Sequence, residues 1–135
     1  MGMPDPTRPA GPPLSSFRRT ARSFRFAAAG ILFILRTQPN ARVHVLLAAI
    51  ACGLAAWLRL TPIAWAVLLI AIALVLALEA INTAIEFAVD LASPQQHDLA
   101  RAAKDTAAAA VLIAAVMCVG VGLCLFLPPL LERIR

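Results

Sequence analysis

The sequence predicts an all-α membrane protein with an N-terminal amphipathic surface helix and three transmembrane helices. Of its 135 residues, 61% are hydrophobic and only 14% are charged, which is too small a share of charge to cover a soluble domain of this length. Three long apolar stretches, at about 43–60, 63–85 and 107–127, approach or reach the ~20 residues that cross a hydrocarbon core of ~30 Å. They lack strand alternation, so bundled helices are the spanning structure that satisfies their backbone polar groups.

The N-terminal part divides into a tail and a helix. Residues 1–14 contain five prolines and no periodicity, which predicts a disordered tail; they also lack the apolar region of a signal peptide. In residues 15–36, large apolar side chains recur every seven positions while arginines lie on another face. This pattern indicates a helix in the membrane interface, or alternatively an amphipathic helix packed on a partner domain. Residues 15–135 are expected to form one domain.

The net charge of +5 is concentrated near the N-terminus. Seven of the twelve basic residues precede the first apolar stretch, and Arg101 and Lys104 lie in the second connection. The positive-inside rule therefore places the N-terminus and the second connection in the cytoplasm and the C-terminus outside. No aromatic platform accompanies the basic residues, so we expect no nucleic-acid partner.

Polar residues on the second span form the first candidate site. At about 100° per residue, Glu79, Asn82, Glu86 and Asp90 share one helical face. A carboxylate in this setting costs at least about a few kcal/mol unless it is paired, protonated or facing water. A hydrated divalent cation with phosphate oxygens would supply the compensation. The alternative is that these side chains hold helices together through hydrogen bonds.

A basic and an acidic residue precede the third span. Lys104 suits a phosphate group as a mobile point charge, and Asp105 suits a metal or a helix N-cap. A cap and a lysine reaching the membrane interface are the alternative explanation for this pair. Neither a GxxxxGK[ST] loop nor the protein-kinase motifs occur in the sequence. Any nucleotide site must therefore be assembled from carboxylates, metal and lysine.

The series Glu79-Ala-Ile-Asn82-Thr-Ala-Ile-Glu86-Phe-Ala-Val-Asp90, followed by Ala-Lys-Asp105, resembles the signature of the prokaryotic diacylglycerol kinase family. That family includes the undecaprenol kinases, and the similarity covers about residues 15–127. The resemblance implies a multi-pass homotrimer of the bacterial cytoplasmic (inner) membrane, with active sites shared between subunits. It also implies transfer of phosphate from MgATP to a lipid alcohol, diacylglycerol or undecaprenol, and small cues favour the undecaprenol branch.

The resemblance also implies a role for each matching position. Glu79 corresponds to the catalytic base, and Glu86 to a ligand of magnesium and nucleotide. The other expected nucleotide and phosphate contacts are Asn82, Asp90, Lys104, Asp105, Arg19 and Arg22.

One position departs from the family pattern. The family commonly has a glutamate just before the first span that helps to hold metal, and Gln38 occupies this position. An amide oxygen can coordinate magnesium but brings no charge, so Gln38 is a candidate metal-side contact that changes the site. Two other functions fit the same residues: a proton- or cation-translocating protein that uses the acidic face, and a regulatory module that keeps the fold without the chemistry.

Overall fold

The computed structural model describes residues 16–93 and 97–134, with side chains from residue 20 onward. It contains α1 (Ser16–Thr37), α2 (Pro39–Trp57), α3 (Pro62–Ala92) and α4 (Asp98–Ile134). Three of these helices, α2, α3 and α4, are long and apolar enough to cross a membrane. The all-α membrane fold class is thereby confirmed. The chain divides into two compact units after Phe33, and the tail predicted at 1–14 lies outside the described residues.

The first unit contains most of α1, which is amphipathic in the structure. Phe24 and Ile31 are 72% and 62% exposed, while the guanidinium groups of Arg22 and Arg25 lie 5.5 and 5.8 Å from the ring centre of Phe26. An exposed apolar face with basic residues beside it is what a helix in the membrane interface requires.

Local sequence signals explain where the helices of the second unit begin. Gln38 precedes α2 in an extended conformation, and Pro39 starts the helix, where its missing N–H removes no helical hydrogen bond. At α3, the Thr61 hydroxyl accepts a hydrogen bond from the backbone N–H of Ala64 at 3.3 Å, and Pro62 follows it. In the turn between α2 and α3, Arg59 has a φ of 54°, which lies in the left-handed region.

Helices α3 and α4 are longer than the apolar stretches that predicted them. They contain 31 and 37 residues, or about 46 and 55 Å at ~1.5 Å per residue, against a hydrocarbon core of ~30 Å. The predicted spans at 63–85 and 107–127 are their apolar sections. Both helices therefore extend beyond their predicted spans at the end where α3 stops and α4 begins, here called the α3–α4 end.

The buried residues form a seam between α3 and α4, the two helices that pack most extensively. On α4 the buried side chains are small or β-branched, at Ala107, Val111 and Ala114. On α3 the apolar Leu68 and Val75 are followed by polar residues. Most other large apolar side chains of the spans are exposed, as expected for surfaces that face lipid or another subunit.

At the opposite end of this unit, where α2 stops and α3 begins (the α2–α3 end), a basic side chain of α4 contacts α2. Arg133 donates a hydrogen bond to the backbone carbonyl of Trp57 at 3.2 Å, and its guanidinium lies 4.5 Å from the centre of the Trp57 rings. This contact gives the C-terminal carbonyl of α2 a cationic partner, which the helix dipole favours. The last turns of α4 are thereby attached to the end of α2.

Candidate functional site

Three polar side chains are buried in the α3 part of the seam. Glu79, Asn82 and Thr83 are 3%, 8% and 3% exposed. Glu79 lies 17 residues after Pro62, the first residue of α3, which is about 26 Å along the axis. The structure thus buries a carboxyl group inside the protein, on a helix that is long and apolar enough to cross a membrane.

Glu79 is a buried residue with a carboxylate side chain. In the segments 16–93 and 97–134 it has no hydrogen bond and no ion pair. Buried carboxylates ordinarily have a cation or several donors as partners, because desolvation of the charge is unfavourable. Within the described residues, the chain supplies no such partner for Glu79.

Asn82 connects the buried part of the site to Glu86. Its Nδ2 donates to Oε1 of Glu86 at 3.0 Å, while its own Oδ1 is buried and has no partner among the described residues. A buried amide oxygen without a donor is uncommon and requires an explanation. A metal-bound water or a group from a neighbouring subunit would satisfy it.

An ion pair joins α3 to α4 one helical turn beyond Glu86. The ammonium group of Lys104 is paired with Oδ1 of Asp90, and both side chains are partly exposed. A pair of this exposure contributes little stability, typically about 0–1 kcal/mol. Its main effect is geometric, because it holds the cation of α4 beside the acidic face of α3.

The structure joins Asn82 to Glu86 and Asp90 to Lys104, and it buries Glu79 one turn before Asn82 on the same face of α3. Asp105 is exposed in the eighth position of α4, so the reading of it as a helix N-cap is wrong. That place is taken by His97, whose Nδ1 accepts a hydrogen bond from the backbone N–H of Leu99 at 3.2 Å.

The remaining predicted residues lie elsewhere in the chain. Gln38 is half-buried at the start of α2, and its hydrogen bonds are made by the backbone. Arg22 stacks on Phe26 within α1, and the side chain of Arg19 lies outside the described residues. The part of the chain that the structure describes contains no group of three or more His, Cys, Asp or Glu able to hold a metal.

Thr83 is a site residue that the sequence reading did not single out. Its hydroxyl donates to the backbone carbonyl of Glu79 at 3.0 Å, and its position at about +40° from Glu79 puts it on the same helical face. The angular position was available from the sequence. Threonine is common in membrane helices, however, and its presence there carries little signal by itself.

An apolar cavity of about 250 Å³ lies between α2, α3 and α4. Val75, one helical turn before Glu79, belongs to its wall, and His44 supplies a polar group there. The other wall residues are hydrocarbon or thiol side chains, among them Leu47, Leu68, Ile72, Leu76 and Cys118. A cavity of this lining accommodates an alkyl chain better than a polar molecule.

Comparison with known proteins gives matches across most of the chain. A protein-family model described as prokaryotic diacylglycerol kinase matches residues 25–126 of the sequence. A diacylglycerol kinase of Synechocystis sp. is 49% identical over 111 residues, which are 82% of this chain and 63% of that protein. The undecaprenol kinase of Bacillus subtilis is 39% identical over 118 residues, 86% of this chain and 94% of that protein.

A third relative, the diacylglycerol kinase of Escherichia coli strain K12, is 40% identical over 77 residues. Those residues are 57% of this chain and 61% of that protein. The match to the Synechocystis protein likewise spans less than two thirds of its length. The expected family resemblance is confirmed, and relatives with two different lipid names share it.

Proposed function

Because the chain belongs to the prokaryotic diacylglycerol kinase family, we propose that it is an ATP-dependent lipid kinase. It transfers the γ-phosphate of MgATP to a membrane lipid alcohol, diacylglycerol or undecaprenol. The observation that carries the proposal is the buried, unpaired carboxylate of Glu79 near the end of the hydrocarbon span. A lipid hydroxyl occupies this same depth, between its alkyl chains and the aqueous phase.

In the proposed reaction, Glu79 is the general base. Its carboxylate accepts the proton of the lipid hydroxyl while the oxygen attacks the γ-phosphorus, and the bond from that phosphorus to the β–γ bridging oxygen breaks. The products are a lipid phosphate and ADP. Phosphoryl transfer needs mainly positioning and neutralisation of phosphate charge, and general base catalysis contributes typically 10²–10⁴-fold.

The residues for phosphate and metal follow Glu79 toward the aqueous phase. Glu86 lies about 36 Å and Asp90 about 42 Å from the start of α3, beyond a hydrocarbon core of ~30 Å. Lys104, held by Asp90, supplies positive charge to the phosphates. Asp105, Arg19 and Arg22 are proposed as further nucleotide contacts from the family resemblance alone.

Magnesium fits the donors that the chain offers at this level. Glu86 contributes a carboxylate and Asn82 an amide oxygen without a donor, and magnesium is commonly held by one or two carboxylates with water and substrate phosphates. When bound, the ion neutralises phosphate charge. Gln38 is proposed as a further oxygen contact, contributed within a homotrimer whose subunits share their sites.

The lipid alcohol places its alkyl chain in the apolar cavity beside Val75. The hydroxyl end of the lipid would then lie beside Glu79, one turn further along α3. The three candidate spans and the family indicate a bacterial membrane protein. We place it in the cytoplasmic membrane with its N-terminus and its α3–α4 end in the cytoplasm, where ATP is available.

The test uses purified full-length protein in detergent micelles, with labelled MgATP and either diacylglycerol or undecaprenol. We expect label in a lipid product, and loss of that product with Glu86→Gln. Glu132→Gln, an exposed carboxylate in the last turns of α4, is the matched control and should retain activity. The proposal fails if the wild-type protein labels neither lipid.

The isolated carboxylate also fits a protein that translocates protons or cations. Reconstituted vesicles with a pH-sensitive or cation-sensitive dye inside distinguish this function from the kinase. Flux that depends on Glu79 without phosphoryl transfer supports translocation. Lipid labelling without flux supports the kinase.

A further inference from the structure

The buried polar cluster contains one hydroxyl that the proposed reaction leaves without a role. Thr83 is 3% exposed and lies next to Asn82, one turn after Glu79. Its hydroxyl proton is committed to the backbone carbonyl of Glu79 at 3.0 Å. The oxygen of Thr83 can therefore act toward the site only as an acceptor.

This hydrogen bond acts on the residue that carries the base. In an α-helix the carbonyl of Glu79 already receives the backbone N–H of Thr83. The hydroxyl adds a second donor to the same oxygen, which has two lone pairs. Back-bonding of this kind tilts the carbonyl and often bends the helix. The direction of the Glu79 side chain depends on that turn.

From this geometry we propose that Thr83 is a positioning residue for Glu79, whose hydroxyl sets the turn from which the base approaches the lipid alcohol. The proposal rests on the kinase function proposed above. Thr83 touches the backbone of Glu79 and makes no contact with the reacting atoms in this scheme. It therefore governs the rate of phosphoryl transfer and leaves nucleotide binding largely unchanged.

The competing role for Thr83 is packing of its methyl group in the seam. Valine keeps the β-branched shape and removes the hydroxyl, whereas serine keeps the hydroxyl and removes the methyl group. The two roles therefore predict opposite orders of activity for Thr83→Val and Thr83→Ser. Thr106 offers a matched control, because its hydroxyl makes the same type of bond, to the carbonyl of Ala102 at 2.7 Å, at an exposed position.

The experiment measures kcat and the KM for MgATP of full-length variants in detergent, with saturating lipid. Thr83→Val should lower kcat about tenfold or more, since small displacements of a catalytic group have large effects on rate. Its KM for MgATP should stay within about twofold, because the Thr83 hydroxyl bonds the backbone of Glu79 and not a residue proposed for metal or phosphate. Thr83→Ser should keep most of the wild-type kcat, and Thr106→Val should behave as wild type.

A second pair of variants keeps the test decisive if Thr83→Val fails to fold. Thr83→Ser and Thr83→Ala both lack the methyl group and differ only in the hydroxyl, so a lower kcat in the alanine variant carries the same meaning. Equal kcat within each pair, in an active wild-type protein, overturns the role of Thr83 alone. A wild-type protein without phosphoryl transfer would overturn the proposed function.

Discussion

The two ends of the α2–α4 unit differ in how completely their polar groups are paired. At the α2–α3 end, Arg133 meets both the carbonyl and the rings of Trp57, and Thr61 caps α3. Toward the other end, Asp90 pairs with Lys104 and His97 caps α4, but in the seam below them Glu79 is buried without a partner and Asn82 leaves one oxygen unpaired in the described chain. Paired groups stabilise a fold, whereas buried groups left unpaired are unfavourable and are retained where a ligand completes them. This contrast is what the proposed function leads us to expect, with structural contacts at the α2–α3 end and the proposed chemistry on the α3 side of the seam.

Glu79→Gln gives the largest expected effect on this contrast. The amide keeps the size of the side chain but cannot accept the lipid proton, so kcat should fall about 10²–10⁴-fold. Thermal unfolding in detergent should occur at or above the wild-type temperature, because a buried unpaired charge has been removed. Wild-type kcat in Glu79→Gln would exclude it as the base, and a strongly lowered unfolding temperature would show that its charge stabilises the fold.

Asn82→Ala should have the next largest effect, through Glu86. Alanine removes both the 3.0 Å hydrogen bond to Glu86 and the amide oxygen proposed for the metal site. Loss of a contact that orients a metal ligand typically lowers metal affinity 10–100-fold. Binding of Mn²⁺, measured by electron paramagnetic resonance in the presence of a non-hydrolysable ATP analogue, should weaken by this amount. Glu132→Gln should bind as wild type. Unchanged Mn²⁺ affinity in Asn82→Ala would mean that Asn82 does not contribute to metal binding.

A smaller effect is expected from the ion pair between α3 and α4. Lys104→Ala should raise the KM for MgATP about tenfold or more, since hydrogen bonds to charged groups contribute ~1.5–3 kcal/mol. Asp90→Asn should raise the KM for MgATP less, because the lysine remains but loses the carboxylate that positions it. The control is Asp98→Asn in the first turn of α4. If Asp90→Asn lowers the KM instead, Asp90 competes with phosphate for the lysine.

The sequence was sufficient to predict the fold class and the acidic face of α3. A run of about twenty apolar residues has few alternatives to a membrane helix, and Glu79 and Glu86 are conspicuous on it. The helix ends were less accessible. Hydropathy falls where a helix leaves the hydrocarbon, although the helix itself continues, so α4 begins at Asp98 well before the predicted span at 107–127.

The contacts within the site could not be read from spacing alone. Asp90 and Lys104 are 14 positions apart, and their pairing depends on how far α4 is shifted along α3. Thr83 is inconspicuous in the sequence because a hydroxyl in an apolar helix usually bonds its own backbone. Its proposed role follows only from the observation that the carbonyl it contacts belongs to Glu79. Roles for Gln38 and Asp105 stay predictions from the family resemblance.

Arg133→Ala should have the smallest effect on activity and tests the structural end of the comparison. It removes the hydrogen bond to the Trp57 carbonyl and the stacking on its rings, a cation–π contact worth ~0.5–1 kcal/mol at exposed sites. The unfolding temperature in detergent should fall by a few degrees while kcat and the KM for MgATP stay within about twofold. The unfolding temperature of Arg133→Lys should lie between those of the wild type and Arg133→Ala, because an ammonium group lacks the planar surface that stacks on an indole. A large loss of kcat without loss of thermal stability would mean that the α2–α3 end is coupled to the reaction. The pairing of polar groups would then not distinguish the structural part of this protein from its reactive part.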